Sequence, residues 1–278
     1  VGSGTIYDLC KLCSYHQNRP YMCVATAESV DGYSSFGASI TYKNMKQTFT
    51  CPAPKAILAD VGVMAKAPKE MTAAGYADLA AKIPAGAEWI IADFVGSEPI
   101  HEEAWHISQD NLKASLADPE GVAALRPEAI APFVEGLMLS GFAMQAARSS
   151  RPASCADHLF SHYLDMTHHT YNGKLQSHGF QVAIGTLTMC AFFDALIDMD
   201  LRDLDIDKCV EQWPSLEEEQ QRALEIFKNF VSPELGYKEI TTKYNNKEEV
   251  REQLTLFKKH WPLLKAQYRK QVYPFEKM

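Results

Sequence analysis

The hydrophobic pattern of this chain changes near residue 62, and this change limits the folds that the chain can adopt. Before residue 62, short apolar runs typical of buried strands alternate with polar loops. After residue 62, apolar residues recur at helical spacing almost to the end of the chain. The sequence therefore predicts a small α/β segment over residues 1–62 and an all-α helical domain over residues 63–278.

The α/β segment has too few elements to form a complete nucleotide-binding domain. Two buried-type runs and one alternating hairpin provide three or four strands with a single helix. A parallel nucleotide-binding sheet normally contains two such halves, so we interpret the segment as the remnant of a dinucleotide-binding domain whose upstream part is missing. The predicted elements are a helix over Thr5–Tyr15, strands over Tyr21–Ala25 and Lys55–Asp60, and a hairpin of Ser39–Lys43 and Lys46–Thr50 joined by Asn44 and Met45.

The helical domain is predicted from repeated amphipathic segments. Pro68 is tolerated only near a helix start or between two helices. Ser215 is followed by Leu216, Glu217 and Glu218, a pattern typical of a capping box with acidic residues in the first turn. The predicted helices cover Val63–Lys82, Pro132–Ala147, His158–Met166, Gln181–Met199, Ser215–Phe230 and, as one or two helices, Lys247–Tyr273.

Charge and hydropathy exclude several classes of partner. Lys and Arg total 27 and Asp and Glu total 35, and the net charge of −8 argues against a nucleic-acid surface. Small anionic ligands stay possible because they need only a local cluster of donors. The longest apolar stretch, Met189–Leu196, is interrupted by Asp194 and is too short to span a membrane. The chain also starts without a basic and apolar leader, so we expect no signal peptide and no membrane partner.

The cysteines indicate a reducing compartment. Their number is odd, seven, and they are spread through the whole chain, which favours reduced thiols and a cytoplasmic location over a disulfide framework. Cys10 and Cys13 have the spacing of a redox or metal motif, but they lie in a predicted helix without a second such pair. We interpret them as inert helix thiols, with a redox or metal role as the alternative.

A glycine-rich loop stands directly before the first predicted helix. Glycines such as Gly2 and Gly4 let a phosphate approach the backbone, and a helix N-terminus offers unpaired N–H groups and the positive end of its dipole. The loop is a candidate phosphate-binding element. Taken alone, Gly-Ser-Gly-Thr also fits an ordinary loop or the remnant of an expression tag.

Histidine and aspartate positions provide the second functional signal. His158 and His162 are spaced i, i+4 and share one helix face, and His178 follows in the next element. Imidazoles from neighbouring elements suit one metal ion, although a pair of partly exposed helix histidines is the alternative. Asp78 lies among small and apolar residues, which indicates pairing or ligation if it is buried. The alternative is that Asp78 lies in the first turn of a helix and faces solvent.

Several motifs occur together in a familiar order, and their combination is more specific than any one of them. They closely resemble the sn-glycerol-1-phosphate dehydrogenase family, which is part of the iron-containing alcohol dehydrogenase and glycerol dehydrogenase superfamily. The resemblance extends from residue 1 to about residue 190. The motifs are Thr26–Tyr33, Pro54–Asp60, Ala67–Met71, Gly75–Lys82, Gly136–Ser154, Asp157–His162 and His178-Gly179.

The resemblance implies roles for individual residues. It implies a dehydroquinate synthase-like fold in which Asp78, His158 and His178 bind one divalent metal, zinc above all, with nickel or iron as alternatives. It implies that Asp31 and His162 are catalytic and that Asp31, Asp78 and His162 contact the substrate. The residues implied to bind NAD or NADP are Gly2, Ser3, Gly4, Thr5, Ile6, Thr26, Ala27, Glu28, Ser29 and Ser35.

The implied activity is the NAD(P)H-linked interconversion of dihydroxyacetone phosphate and sn-glycerol-1-phosphate. In the reducing direction, a metal held by one carboxylate and two imidazoles grips the ketone oxygen as a Lewis acid. A small phosphorylated triose or polyol is then the substrate, and a homo-oligomer is the expected assembly. The alternatives are a related polyol or glycerol dehydrogenase, or a truncated non-catalytic homologue that retains the metal site. Family members extend further before the glycine-rich loop, so we expect that the N-terminal part is absent here.

Overall fold

The computed structural model describes residues 1–42, 45–229, 233–273 and 275–278. Within these ranges, most of the chain is helical, and the strands are short. The strands are β1 (Met22–Ala25), β2 (Ala38–Tyr42), β3 (Met45–Phe49), β4 (Ala56–Ala59), β5 (Thr170–Tyr171) and β6 (Lys174–Leu175). The helices are α1 (Thr5–His16), α2 (Val61–Met64), α3 (Lys69–Ala80), α4 (Lys82–Phe94), α5 (Glu102–Gln109), α6 (Leu112–Ser115), α7 (Pro119–Ala123), α8 (Pro127–Ala147), α9 (Ala156–Met166), α10 (His178–Asp198), α11 (Ile206–Glu211), α12 (Leu216–Phe227), α13 (Pro233–Lys243) and α14 (Lys247–Gln271), with a 3-10 turn at Phe275–Lys277.

The start of the chain lies beside a small parallel sheet. β1 and β4 pair in parallel, with Met22 opposite Ala56. Gly2 adds a parallel bridge at the carboxyl end of β1, where its N–H donates to the carbonyl of Val24 and its carbonyl accepts from the N–H of Thr26. Because α1 starts three residues after Gly2, its N-terminus lies at the carboxyl edge of the sheet, the edge at which α/β sheets bind ligands.

The predicted hairpin is formed by β2 and β3, which pair antiparallel with Ala38 opposite Phe49. Asn44, predicted to lie in the connecting turn, falls outside the described residues. Met45, which was predicted to share that turn, is instead the first residue of β3. A second, unpredicted hairpin of β5 and β6 interrupts the helical part between α9 and α10. Its strands are only two residues long, too short for an alternating pattern to indicate them in the sequence.

The main core joins the helical part to the parallel sheet. Phe133 and Leu137 of α8 and Phe193 of α10 are fully buried in the same cluster as Ala25 of β1. From the C-terminal end, α14 packs against α4 and α10 and contributes further large side chains to this cluster. Those from α14 are Trp261, Leu264 and Tyr268. The apolar stripe of each long helix therefore meets the stripes of its neighbours, as the helical spacing predicts.

Proline residues account for one confirmed and one wrong helix prediction. The helical segment predicted over Val63–Lys82 comprises α2, α3 and the start of α4, and Pro68 lies between two helices at the start of α3, as predicted. The helix predicted to start at Pro132 starts at Pro127 instead, with Pro127 in its first turn. Pro132 lies inside α8, next to the fully buried Phe133.

Other helix starts follow side-chain caps. The capping box of α12 is confirmed, with the Ser215 hydroxyl accepting from the Glu218 N–H and the Glu218 carboxylate accepting from the Ser215 N–H. The helix predicted from Gln181 begins three residues earlier, because the Ser177 hydroxyl caps it by accepting from the Phe180 N–H. His178 therefore lies in the first turn of α10. The C-terminal segment forms one helix, α14, which continues through Pro262.

Two helices, α8 and α10, are long and apolar enough to cross a membrane by length and composition alone. Both contribute to the core cluster, through Leu137 and Phe193 for example. Core helices of globular proteins meet the same criterion, so the observation carries little weight for a membrane location.

Two glycines allow α3 to contact its neighbours backbone to backbone. A Cβ at Gly75 of α3 would lie 1.9 Å from the carbonyl oxygen of Glu28, in the loop after β1. A Cβ at Gly179 of α10 would lie 2.0 Å from the carbonyl oxygen of Ala74. Only glycine fits at these two contacts, and they place α3 directly between the loop and the first turn of α10.

We predict that Gly179→Ala lowers the free energy of unfolding by about 1–3 kcal/mol, since the new methyl group must displace backbone. This loss exceeds the gain of about 1 kcal/mol that alanine brings to a helix. Gly86→Ala is the matched control, because a Cβ at this buried glycine meets the side-chain ends of Gln271 and Gln109 rather than backbone. Urea unfolding of both variants measures the difference. Equal stability of Gly179→Ala and wild type would contradict the close contact.

Candidate metal centre

Three helices bring one carboxylate and two imidazoles together. Asp78 of α3, His158 of α9 and His178 of α10 each offer a ligand atom, and these atoms lie within 4.8 Å of one another. Asp78 and His158 are buried and His178 is half-buried. The Oδ1 atom of Asp78 lies 3.5 Å from Nε2 of His158, and the two imidazole ring centroids are 5.2 Å apart. The residues that the resemblance implies as metal ligands thus occupy one small volume.

The start of α9 fixes the backbone around His158. The Oδ1 atom of Asp157 accepts hydrogen bonds from the N–H groups of Cys155, at 3.0 Å, and His158, at 2.9 Å. A carboxylate at this position also benefits from the positive end of the helix dipole. The same Oδ1 lies 3.3 Å from Nδ1 of the His158 ring. One buried carboxylate therefore holds the backbone at the start of α9 and lies beside the ring of His158.

A buried lysine connects Asp78 to Asp31. The Lys82 ammonium lies 2.9 Å from Oδ1 of Asp78 and 2.8 Å from Oδ2 of Asp31, and its side chain is completely buried. Burial alone would raise the pKa of Asp78, but Lys82 outweighs it and holds that pKa well below its usual range. Burial likewise lowers the pKa of Lys82, while Asp31 and Asp78 raise it above its usual range.

The sequence interpretation did not identify Lys82 as part of the site. A usable signal exists, since Lys82 follows Asp78 at i, i+4 within an otherwise apolar segment. Its second partner, Asp31, lies far away in the sequence and could be found only in the folded chain.

Asp31 is held at the metal centre by three contacts. Its N–H donates to Oδ2 of Asp78 at 3.2 Å, and its carboxylate pairs with Lys82. The Ser140 hydroxyl of α8 donates to its Oδ2 at 2.8 Å. The loop after β1 therefore delivers a carboxylate directly beside the three candidate metal ligands.

His158 has an unusual proton affinity in the metal-free protein. Burial lowers the pKa of its imidazole, but the carboxylates of Asp157 and Asp78 more than compensate and raise the pKa to about 9. A metal ion is a further positive charge that satisfies the same carboxylates. The arrangement thus favours a cation at this point, whether a proton on His158 or a metal ion.

The glycine-rich loop is joined to the loop after β1. The Ser3 hydroxyl lies 2.7 Å from the Ser29 hydroxyl and 2.8 Å from the Tyr33 hydroxyl. Gly4 has a φ of 51°, a conformation that glycine adopts readily, and α1 starts at the next residue. Thr5 and Ile6 are exposed in the first turn of α1. The structure therefore brings the predicted cofactor residues Gly2–Ile6 next to Thr26 and Ser29.

Three other predicted cofactor residues face inward. The carbonyl of Ala27 accepts from the Tyr33 hydroxyl. The Glu28 carboxylate is completely buried and accepts a hydrogen bond from the Thr72 hydroxyl of α3, and burial raises its pKa. The carbonyl of Ser35 accepts from the ammonium of Lys11. These two carbonyls and the Glu28 side chain support the loop from within the core.

Lys11, which the sequence interpretation missed, organises the end of this loop. Its buried ammonium donates to the carbonyls of Gly32, Ser35 and Gly37 at 2.9–3.1 Å. Burial lowers the pKa of Lys11, while the nearby Asp8 raises it in part. α1 thus anchors the loop after β1 through one side chain.

The remaining predicted residues lie at the edge of the centre or outside it. His162 lies one helical turn beyond His158 in α9 and is partly exposed. Cys10 and Cys13 are exposed on α1, and the described cysteines are all free thiols.

Glu88 of α4 lies behind α9 and was not predicted. Its Oε2 accepts a hydrogen bond from the N–H of Ala156 at 3.2 Å. Burial, reinforced by the charge of Asp157, raises the pKa of Glu88 to about 7, although the Ala156 hydrogen bond opposes this shift. Glu88 therefore exchanges its proton near neutral pH in the folded protein.

We predict that Lys82→Met destabilises the metal-free protein by about 3–5 kcal/mol, because two buried carboxylates lose their cation. Lys243→Met is the matched control, since Lys243 pairs with Glu239 on the surface and exposed pairs contribute about 0–1 kcal/mol. Urea unfolding at neutral pH, in the presence of a chelator, compares the two variants. Similar small losses in both would contradict the buried arrangement.

We predict that stability falls by about 3 kcal/mol, relative to Glu88→Gln, as the pH rises from 4.5 to about 7. In this window the folded protein keeps the proton of Glu88 while the unfolded chain has lost it, so raising the pH favours unfolding. Glutamine carries no titratable proton and keeps an oxygen that accepts from Ala156. Unfolding free energies of both proteins across this range measure the effect, and parallel pH profiles would exclude it.

Comparison with known proteins identifies relatives of this chain. A family model described as iron-containing alcohol dehydrogenase matches residues 1–68. Glycerol-1-phosphate dehydrogenase (NAD(P)+) of Bacillus licheniformis is 34% identical over 210 residues, which cover 76% of this chain and 52% of the relative. The protein of the same name from Pyrococcus horikoshii is 39% identical over 189 residues, covering 68% and 54%. The chain thus spans about half the length of the curated relatives it matches.

A solved structure shows the same fold. Glycerol dehydrogenase from Schizosaccharomyces pombe superposes with a TM-score of 0.56 and 18% sequence identity, covering 99% of this chain and 72% of that protein. The chain is therefore similar to the iron-containing alcohol dehydrogenase superfamily, and the curated relatives that it resembles are glycerol-1-phosphate dehydrogenases.

Proposed function

We propose that this chain carries the metal-binding and cofactor-binding residues of an NAD(P)-dependent oxidoreductase that interconverts dihydroxyacetone phosphate and sn-glycerol-1-phosphate. The observation that carries the proposal is the convergence of Asp78, His158 and His178 from three different helices. The names of the relatives support the substrate and the cofactor.

The three converging side chains fit a divalent metal. One carboxylate oxygen and two imidazole nitrogens within 4.8 Å form a mixed donor set that suits zinc, nickel or iron. Three protein ligands leave coordination positions open, which is the pattern of catalytic rather than structural sites. We propose zinc as the resident ion, held by Asp78, His158 and His178.

The protein groups around this centre suit a phosphorylated ketone substrate. A bound divalent ion supplies a Lewis acid that polarises the carbonyl of the substrate. Asp31, fixed by Lys82 and Ser140, lies beside the ligands and orients the substrate hydroxyl groups. His162 lies one turn after His158 in α9, and we propose that it faces the same space.

The glycine-rich loop suits the pyrophosphate of a dinucleotide. The N–H groups in the first turn of α1 and the positive end of its dipole attract an anion. Ser3 and Ser29 add hydroxyl groups to the same rim. We propose that NAD or NADP lies across Gly2–Ile6 and Thr26–Ser29, with its nicotinamide toward His162.

We also propose that the protein acts in the cytoplasm as a homo-oligomer, without nucleic-acid or membrane partners. Large apolar side chains are exposed on adjacent helices, such as Leu159 and Tyr163 of α9 and Ile184 and Phe192 of α10. Exposed apolar patches of this kind mark interaction surfaces. We propose that a second copy of the chain covers this one.

We predict that Asp78→Ala and His158→Ala lose bound metal, because each removes one of three ligands. His106→Ala is the matched control, since His106 is an exposed histidine on α5 that pairs with Asp110. Metal content after dialysis and zinc titration by calorimetry provide the measurement. Full metal occupancy in either site variant would refute the ligand assignment.

A dinucleotide titration tests the oxidoreductase proposal with the metal-loaded protein. We expect NADH or NADPH to bind and dihydroxyacetone phosphate to oxidise it, with sn-glycerol-1-phosphate preferred over its enantiomer in the reverse direction. Absence of binding at millimolar dinucleotide would refute the enzyme proposal for this chain. It would favour a metal-binding homologue without activity.

A further inference from the structure

A chain of hydrogen bonds leads from His178 to a carboxylate on the neighbouring helix. The Ser161 hydroxyl lies 2.8 Å from Nδ1 of His178 and 2.8 Å from Oε1 of Gln181. The amide nitrogen of Gln181 lies 2.9 Å from Oδ1 of Asp165. Ser161 and Gln181 are buried and Asp165 is half-buried. The four side chains therefore form one continuous path between α9 and α10.

The direction of every hydrogen bond in this path follows from its carboxylate end. A carboxylate only accepts, so Gln181 must donate its N–H to Asp165 and present its oxygen to Ser161. The hydroxyl of Ser161 has a single proton, which it donates to that oxygen. Its own oxygen then accepts a hydrogen bond, and the donor is the Nδ1–H of His178.

We propose that Asp165, Gln181 and Ser161 are positioning residues that hold His178 in the tautomer with its proton on Nδ1. This inference rests on the proposed metal site, for which it names the outer support. A neutral imidazole has one N–H, so protonation of Nδ1 leaves the lone pair on Nε2 for a metal ion. Ligation through Nε2 then requires no proton shift within the ring.

The two histidines of the centre differ in what lies beside Nδ1. Nδ1 of His158 lies 3.3 Å from the carboxylate of Asp157. Nδ1 of His178 reaches the carboxylate of Asp165 only through Ser161 and Gln181. Removing a group in such a support typically lowers metal affinity by about 10- to 100-fold.

The tautomer can be observed directly in the metal-free protein. Long-range nitrogen–proton correlation spectra of protein with ¹⁵N-labelled histidine distinguish Nδ1–H from Nε2–H, at a pH where the ring of His178 is neutral. We expect Nδ1–H for His178 in the wild type. We expect a shift toward Nε2–H, the form that a histidine side chain prefers in water, in Ser161→Ala.

Metal affinity provides the second measurement. We expect Ser161→Ala and Gln181→Leu to weaken zinc binding by about 10- to 100-fold in competition with a chelator. Thr186→Val is the matched control, because like Ser161→Ala it removes a buried hydroxyl, here one on α10 that donates to the carbonyl of Val182. We expect that control to bind zinc within about twofold of wild type.

The outcomes separate this inference from the proposed function. An Nε2–H tautomer of His178 in the wild type, or an unchanged tautomer in Ser161→Ala, would overturn the inference whether or not metal binds. A wild type that shows the Nδ1–H tautomer but binds no zinc would overturn the proposed function and leave the hydrogen-bond direction established.

Discussion

The rest of the site depends on the two buried ion pairs of the Lys82 ammonium group. A fully buried cation is stable only when it is paired, and Lys82 has two partners, Asp78 on its own helix and Asp31 in the loop after β1. The pair of contacts ties the α/β part of the chain to the helical part at one point. Because Asp31 also donates its N–H to Asp78, the loop cannot move without disturbing a candidate metal ligand.

Close backbone packing extends this constraint to the second histidine. Gly75 allows α3 to touch the loop after β1, and Gly179 allows α3 to touch the first turn of α10. α3 is therefore held between the elements that carry Asp31 and His178. Protein interiors transmit small displacements because they are tightly packed, so a displacement of α3 is transmitted to the elements that carry Asp31 and His178.

Much of this arrangement follows from local sequence rules, and the exceptions have physical reasons. The capping box at Ser215 and the helix after Gly4 depend only on neighbouring residues, which makes them predictable. The early start of α8 was missed because Pro132 is compatible with both a helix start and a buried helix interior. Burial in the core decides between these possibilities.

The sequence by itself determined the change from strands to helices near residue 62, and its motifs supplied the set of candidate ligands. Tertiary structure decided which charges are buried and how they are balanced. Ser140 and Asp31 are 109 positions apart, and their contact follows no local period. The same holds for Lys11 beneath its loop and Glu88 behind α9. The direction of the hydrogen bonds from Asp165 to His178 likewise exists only after α9 and α10 have packed, because each donor is set by the partner that folding places beside it.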